Sequence, residues 1–130
     1  MRELVALNLP IVAPLLRQSN EELLYSNYHA DIDDEGYYIE CDAYYLIWNQ
    51  KIVGVFELPV VHCTYLVRGD VISGLNYCDA TSRYEYVIFS DSARRAGVPQ
   101  YLDNRQVYGY LTGTEDVEVA ERLLGPELGA

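Results

Sequence analysis

The chain of 130 residues contains one lysine (Lys51), one tryptophan (Trp48), one methionine and two phenylalanines. Nine lysines and arginines stand against twenty acids, so the formal charge is −11 and the isoelectric point lies near 4.4. That balance disfavours a nucleic-acid backbone or an anionic membrane as a direct partner. Cysteine is also scarce. Cys41, Cys63 and Cys78 make an odd count with no Cys-x-x-Cys pair, which speaks against a disulfide scaffold or a zinc site and fits a reducing compartment. No apolar run is long enough to cross a bilayer. Residues 4–16 come nearest, but Asn8, Pro10 and Pro14 interrupt them and no small-residue cleavage site follows. They read as structure rather than a secretory leader, and the expected setting is the cytoplasm or an assembled particle. Walker loops, dinucleotide fingerprints and Ser/His/Asp arrangements are missing too.

What the chain has in abundance is tyrosine, with thirteen copies. A tyrosine ring buries as much apolar area as phenylalanine, while its hydroxyl seeks water or a hydrogen-bond partner. Tyrosine in place of phenylalanine therefore builds half-buried surface suited to contact with another macromolecule. Charge is unevenly placed as well. Between Arg17 and Lys51 there is no cation but there are eight acids: Glu21, Glu22, Asp31, Asp33, Asp34, Glu35, Glu40 and Asp42. One sector of the surface should be strongly negative.

The size fits a single domain over 1–130. Asn8 can cap a first helix carrying Ile11, Val12, Leu15 and Leu16, and Ser19-Asn20-Glu21-Glu22 has capping-box spacing for a second. Residues 37–41, 43–48, 52–58, 60–67, 71–78, 84–89 and 106–111 are rich in β-branched and aromatic residues, as strands are. Ser90-Asp91 can open a short helix, and residues 114–125 read as a closing helix with an apolar face of Val117, Ala120, Leu123 and Leu124. The expected fold is α+β: N-terminal helices, a mostly antiparallel twisted sheet of five to seven strands, then a short helix and a C-terminal helix packed on it.

Two stretches bear on chemistry. The run from Asp31 to Asp42 resembles the calcium loop of the EF-hand family, with acids at loop positions one, three, five and twelve and a glycine at six. The resemblance implies a weak calcium site built from Asp31, Asp33, Glu35 and Asp42; otherwise the run is a solvated acidic loop leading into a strand. No other cofactor is expected from the residues themselves. The order of elements resembles the GCN5-related N-acetyltransferase family. Residues 44–58, with the Lys51-Ile52-Val53-Gly54 turn, look like its central hairpin. The segment Arg68-Gly69-Asp70-Val71-Ile72-Ser73-Gly74 looks like its pyrophosphate turn, although Val71 and Ser73 depart from the pattern. That resemblance implies an acyltransferase, active or not, holding acetyl-coenzyme A through Arg68, Gly69 and Gly74. His62-Cys63 suggests a thiol nucleophile, but neighbours on a strand point to opposite faces, so His62 should not reach Cys63.

The leading expectation is a non-enzymatic interaction or assembly protein of the kind bacteriophages encode as virion or accessory components. It would bind a protein with a basic surface through Asp33, Asp34, Glu35, Tyr37, Tyr38, Tyr44 and Tyr45, and self-association into a homo-oligomer is compatible with that surface. The alternatives are the acyltransferase and an acidic decoy that fills the groove of a nucleic-acid-binding protein.

Overall fold

The computed structural model describes residues 2–18 and 26–111. The elements run α1 (Arg2–Ala6), β1 (Ile11–Pro14), β2 (Leu16–Gln18), β3 (Tyr28–His29), α2 (Asp42–Trp48), β4 (Val55–Leu58), β5 (Val60–Val61) and β6 (Leu66–Val67). A 3₁₀ turn (Ile72–Gly74), α3 (Glu85–Arg95), β7 (Gln100–Asp103) and β8 (Gly109–Leu111) follow. The fold is α+β. Four strands form a mixed sheet in the order β4-β7-β1-β6, with β1 parallel to β7 and the outer pairings antiparallel. Two smaller ladders complete it, β2-β8 parallel and β3-β5 antiparallel.

Several helix and strand assignments exchange places. Residues 11–16 are not a helix. Ile11, Val12, Ala13, Pro14 and Leu15 are all buried, the signature of a central strand covered on both faces rather than of a one-sided helix. Asn8 ends α1 with φ 50° instead of opening a helix. Conversely, residues 43–48 form α2, because Tyr44, Ile47 and Trp48 recur at helical spacing and all face inward. Residues 84–89 likewise open α3 rather than a strand, burying Val87, Ile88, Phe89, Ser90 and Ala93. The hairpin expected over 44–58 is therefore a helix, a loop and a strand, which removes the acetyltransferase comparison's central piece. Residues 71–78 hold only the 3₁₀ turn and exposed loop. The expected closing helix, and most of the second helix, lie outside the described residues.

The core joins Ile11, Ala13 and Leu15 of the β1 region to Leu58, Val61, Phe89, Ala93 and Leu102, with Tyr28, Tyr44, Ile47 and Trp48 at one end. Each fully buried aliphatic contributes roughly 1.5–3 kcal/mol. Buried polar side chains fix how the smaller elements sit on this core. The Asn27 Nδ2 donates to the Pro14 carbonyl at 2.7 Å, and its Oδ1 accepts from Leu16 N at 3.0 Å and Ser26 Oγ at 3.1 Å. One amide thus bridges the break between β1 and β2 and anchors the strand that follows it. Asn104 plays the same part for α2 and β4: its Nδ2 donates to the Ile47 and Ile52 carbonyls and its Oδ1 accepts from Gly54 N. Arg17 closes the C-terminal end of α2 by donating to the Trp48 carbonyl, with its guanidinium 4.7 Å from the Trp48 ring centroid.

Replacing Asn27 with alanine should leave several of these groups without partners and lower stability by about 3 kcal/mol in equilibrium urea unfolding. A loss below about 1 kcal/mol would show that the amide does not anchor β3.

Candidate functional site

The β3-β5 ladder has two residue pairs, Tyr28 with Val61 and His29 with Val60. The His62 N–H extends it by donating to the Asn27 carbonyl at 2.8 Å. This register sets His29 and His62 on one face of the ladder, two positions apart. Their ring centroids are 5.6 Å apart, edge to face. Tyr86, in the first turn of α3, tilts onto His62 with centroids 4.6 Å apart and stands edge-on to His29. Tyr38 meets His29 at 5.5 Å, and Tyr44 of α2 stacks on Tyr28 at 4.7 Å.

Together with Ser26 these rings line a cleft of about 360 Å³. The volume falls in the range of ~300–1,000 Å³ typical of small-molecule sites. Among the described residues, its lining contains hydroxyls and imidazoles but no Asp, Glu, Lys or Arg. Burial lowers the pKa of both histidines to about 4, and for His62 the neighbouring His29 adds to the effect. Both rings are therefore neutral at pH 7. His29 is 8% exposed, and its Nδ1 is buried with no hydrogen-bond partner among the described residues. An unpaired buried nitrogen costs roughly 1–3 kcal/mol. The Tyr28 hydroxyl is spent inside the protein, donating to the Tyr44 carbonyl at 2.7 Å, and burial is the main cause of its raised pKa.

Cys63 departs from the expectation of opposite faces. The strand ends at Val61, and Cys63 takes the left-handed φ of 69° inside a tight turn closed by Thr64 N and the His62 carbonyl at 2.9 Å. That turn folds its Sγ back to 3.1 Å from His62 Nδ1. Desolvation raises the thiol's pKa, so Cys63 is a protonated thiol here and not an activated nucleophile.

The residues singled out from sequence are distributed differently. Asp33 acts as a turn residue, its Oδ1 accepting from Glu35 N and Tyr37 N, while Asp31 Oδ1 accepts from Ile32 N. Gly36 closes the turn at φ 93°, where an added Cβ would sit 3.0 Å from Val87 Cγ1. Asp42 opens α2, where a helix dipole favours an anion. Among the described residues no group of three or more His, Cys, Asp or Glu side chains is arranged to hold a metal ion. The expected contact set also divides. Tyr44 is buried and Tyr38 borders the cleft. Tyr37 stands edge-on to Tyr84, and Tyr45 donates to Glu40 at 2.5 Å. Asp34 and Glu35 are exposed at the loop tip. Arg68 is committed to Asp70, at 2.5 and 3.1 Å, and to the Asn8 carbonyl. Gly69 stands in open space and Gly74 ends the 3₁₀ turn, after which Leu75 is extended. No long helix starts there to cradle a pyrophosphate.

Comparison with known proteins gives the family. A model described as the glycosyltransferase family 25 N-terminal domain matches residues 1–120, and the chain belongs to that family. It is 34% identical over 119 residues to a glycosyltransferase 25 family member of Aedes aegypti, covering 84% of this chain and 19% of that protein. It is 36% identical over 115 residues to procollagen galactosyltransferase 2 of Homo sapiens, covering 83% and 18%. Procollagen galactosyltransferase 1-A of Xenopus laevis is 32% identical over 115 residues, covering 83% and 18%. The chain spans about a fifth of the length of these relatives. These matches overturn the acetyltransferase resemblance and, with it, the readings as a phage assembly protein, a decoy inhibitor or an acyltransferase. The order of helices and strands on which that resemblance stood is not the observed one. Among the described residues no helix is long and apolar enough to cross a membrane.

Because both histidines fold with pKa values below the ordinary 6.5, the unfolded chain takes up their protons first as pH falls. Their contribution to stability is complete above pH 6.5 and is lost between 6.5 and 4, at up to about 1.4 kcal/mol per pH unit for each ring. Denaturant unfolding across that range should show the slope, and His29→Gln should flatten it. Equal slopes in the two proteins would show that His29 is not held neutral.

Proposed function

We propose that this chain forms part of a galactosyltransferase of the procollagen-modifying kind and that the His29/His62 cleft holds the neutral hexose ring. The observation that carries the reading is the uncharged lining of the cleft within a chain of charge −11. A polyhydroxyl ring offers apolar C–H faces and many hydroxyls. Tyrosine and histidine rings meet the first by stacking, and the Tyr38 hydroxyl and the His62 Nε2 meet the second. A phosphate or carboxylate would find no cation among the described residues of this lining. Any anionic part of a sugar donor therefore lies outside the cleft, and only the sugar enters. The names of the relatives supply the galactosyl group and the procollagen acceptor.

Saturation-transfer difference NMR with methyl β-galactoside tests the assignment. Saturation should reach the sugar's ring protons. Tyr38→Ala, at a residue 42% exposed and so tolerant of truncation, should weaken the interaction by about tenfold, as should His62→Ala. Absent transfer at millimolar galactoside, or transfer that both variants leave unchanged, would remove the cleft as the sugar site.

A further inference from the structure

The cleft takes Tyr38 from the loop after β3 and Tyr86 from α3. That loop is a small hairpin. Asp33 N donates to the Tyr37 carbonyl at 2.9 Å and Ile39 N to the Asp31 carbonyl at 3.1 Å, with Ile32 bridged to Tyr38. Its tip lies on α3: a Cβ added to Gly36 would stand 3.0 Å from Val87 Cγ1, so the backbone there passes close over the helix. The hairpin's own hydrogen bonds give it shape without fixing where it sits on that helix.

Arg83, just before α3, supplies a contact that does. Its Nη1 donates to the Glu35 carbonyl at 2.9 Å. Glu35 stands three residues before Tyr38 and Arg83 three before Tyr86, so this bond joins the two segments that carry those rings. The rest of the guanidinium is oriented from other sides. Nη2 donates to Asp79 Oδ2 at 2.9 Å and to Asp91 Oδ2 at 3.2 Å, and Nε donates to Thr81 Oγ1 at 3.1 Å. Asp91 belongs to the helix body and is shared by further cations. Arg95 Nη2 lies 3.1 Å from its Oδ2, and Arg94 Nη2 lies 3.8 Å from its Oδ1. Arg94 in turn donates through Nη1 to the Pro59 carbonyl at 2.6 Å, immediately before β5. A planar fork held at Nη2 and Nε leaves Nη1 aimed one way, at the hairpin tip.

We propose that Arg83, oriented by Asp91, is a positioning residue for the cleft: it lies outside the lining and acts by holding Tyr38 against His29. The Tyr38 ring meets His29 at 5.5 Å and Tyr44 at 5.4 Å, both edge to face. A displacement of the hairpin by roughly 1 Å alters both contacts and the width of the cleft together, enough to weaken a ligand held in fixed geometry. Reading the consequence as weaker sugar binding rests on the hexose assignment; the placement of Tyr38 does not.

The test is a double-mutant cycle on the full chain, with methyl β-galactoside as the probe and the two histidine Cε1–H signals, assigned with His29→Gln, as a second readout. Arg83→Gln should weaken galactoside binding several-fold and should cause no further loss in a Tyr38→Ala background. It should also move the His29 signal toward its position in Tyr38→Ala, because the Tyr38 ring leaves that imidazole, while His62 against Tyr86 moves less. A residue that only stabilised the fold would weaken binding equally in both backgrounds. Should Arg83→Gln fail to fold, Asp91→Asn replaces it in the same cycle, since it keeps the side chain's shape and removes the charge that orients the guanidinium. Galactoside binding unchanged by the substitution, an equal loss in the Tyr38→Ala background, or a His29 signal that stays in place overturns the proposal. Absence of galactoside binding by the parent chain would defeat the hexose reading, and the His29 signal would then decide the placement of Tyr38 by itself.

Discussion

A ladder of two residue pairs holds the candidate site together, and it depends on one buried amide. β3 and β5 are too short to be stable as an isolated hairpin. They are held because Asn27 hydrogen-bonds across the break between β1 and β2, so the ladder inherits the rigidity of the central sheet. His29 and His62, 33 positions apart in the chain, meet only through that register. Tyr86 then reaches them from the first turn of α3 and Tyr44 from α2. Each side of the cleft comes from a different element, and Asn27, Asn104 and Arg17 set the elements' relative positions.

The second physical theme is the separation of charge from the cleft. The acids of the loop after Ala30 are turned to local work, holding backbone N–H groups at Asp31 and Asp33. Arg83 ties that loop to α3 through the Glu35 carbonyl. What remains between loop, helix and ladder is an aromatic, uncharged hollow in which two imidazoles stay neutral because water is largely excluded. The Cys63 turn contributes by bringing its thiol within hydrogen-bond distance of His62 Nδ1.

Much of the architecture was legible in the residues, and its failures are instructive. The α+β class follows from composition and pattern. The identities of short apolar runs do not. Tyr44 to Trp48 satisfies both a strand's aromatic richness and a helix's i, i+3, i+4 spacing, and only burial of Tyr44, Ile47 and Trp48 on one face decides it. Ile11 to Leu15 shows the converse ambiguity, resolved by β7 and β6 pairing on either side. The cleft was hidden for a different reason. The dipeptides Tyr28-His29 and His62-Cys63 are unremarkable alone, and no local pattern announces that a two-pair ladder will bring them together. Regular strand geometry also misled for Cys63, because a left-handed residue reverses the chain where alternation was assumed. The one available signal was that both of the chain's histidines stand beside runs of β-branched or aromatic residues.

The central claim, that a neutral hexose sits in a cleft lined by two neutral imidazoles, is most directly measured at the imidazole carbon–proton NMR resonances. The chain has two histidines, so its spectrum holds two ring Cε1–H signals. The account predicts that both carry the neutral-form shifts at pH 7 and that both move together, saturably, as methyl β-galactoside is added. Resonances that stay in place under the sugar, or that report a protonated ring at neutral pH, would contradict it.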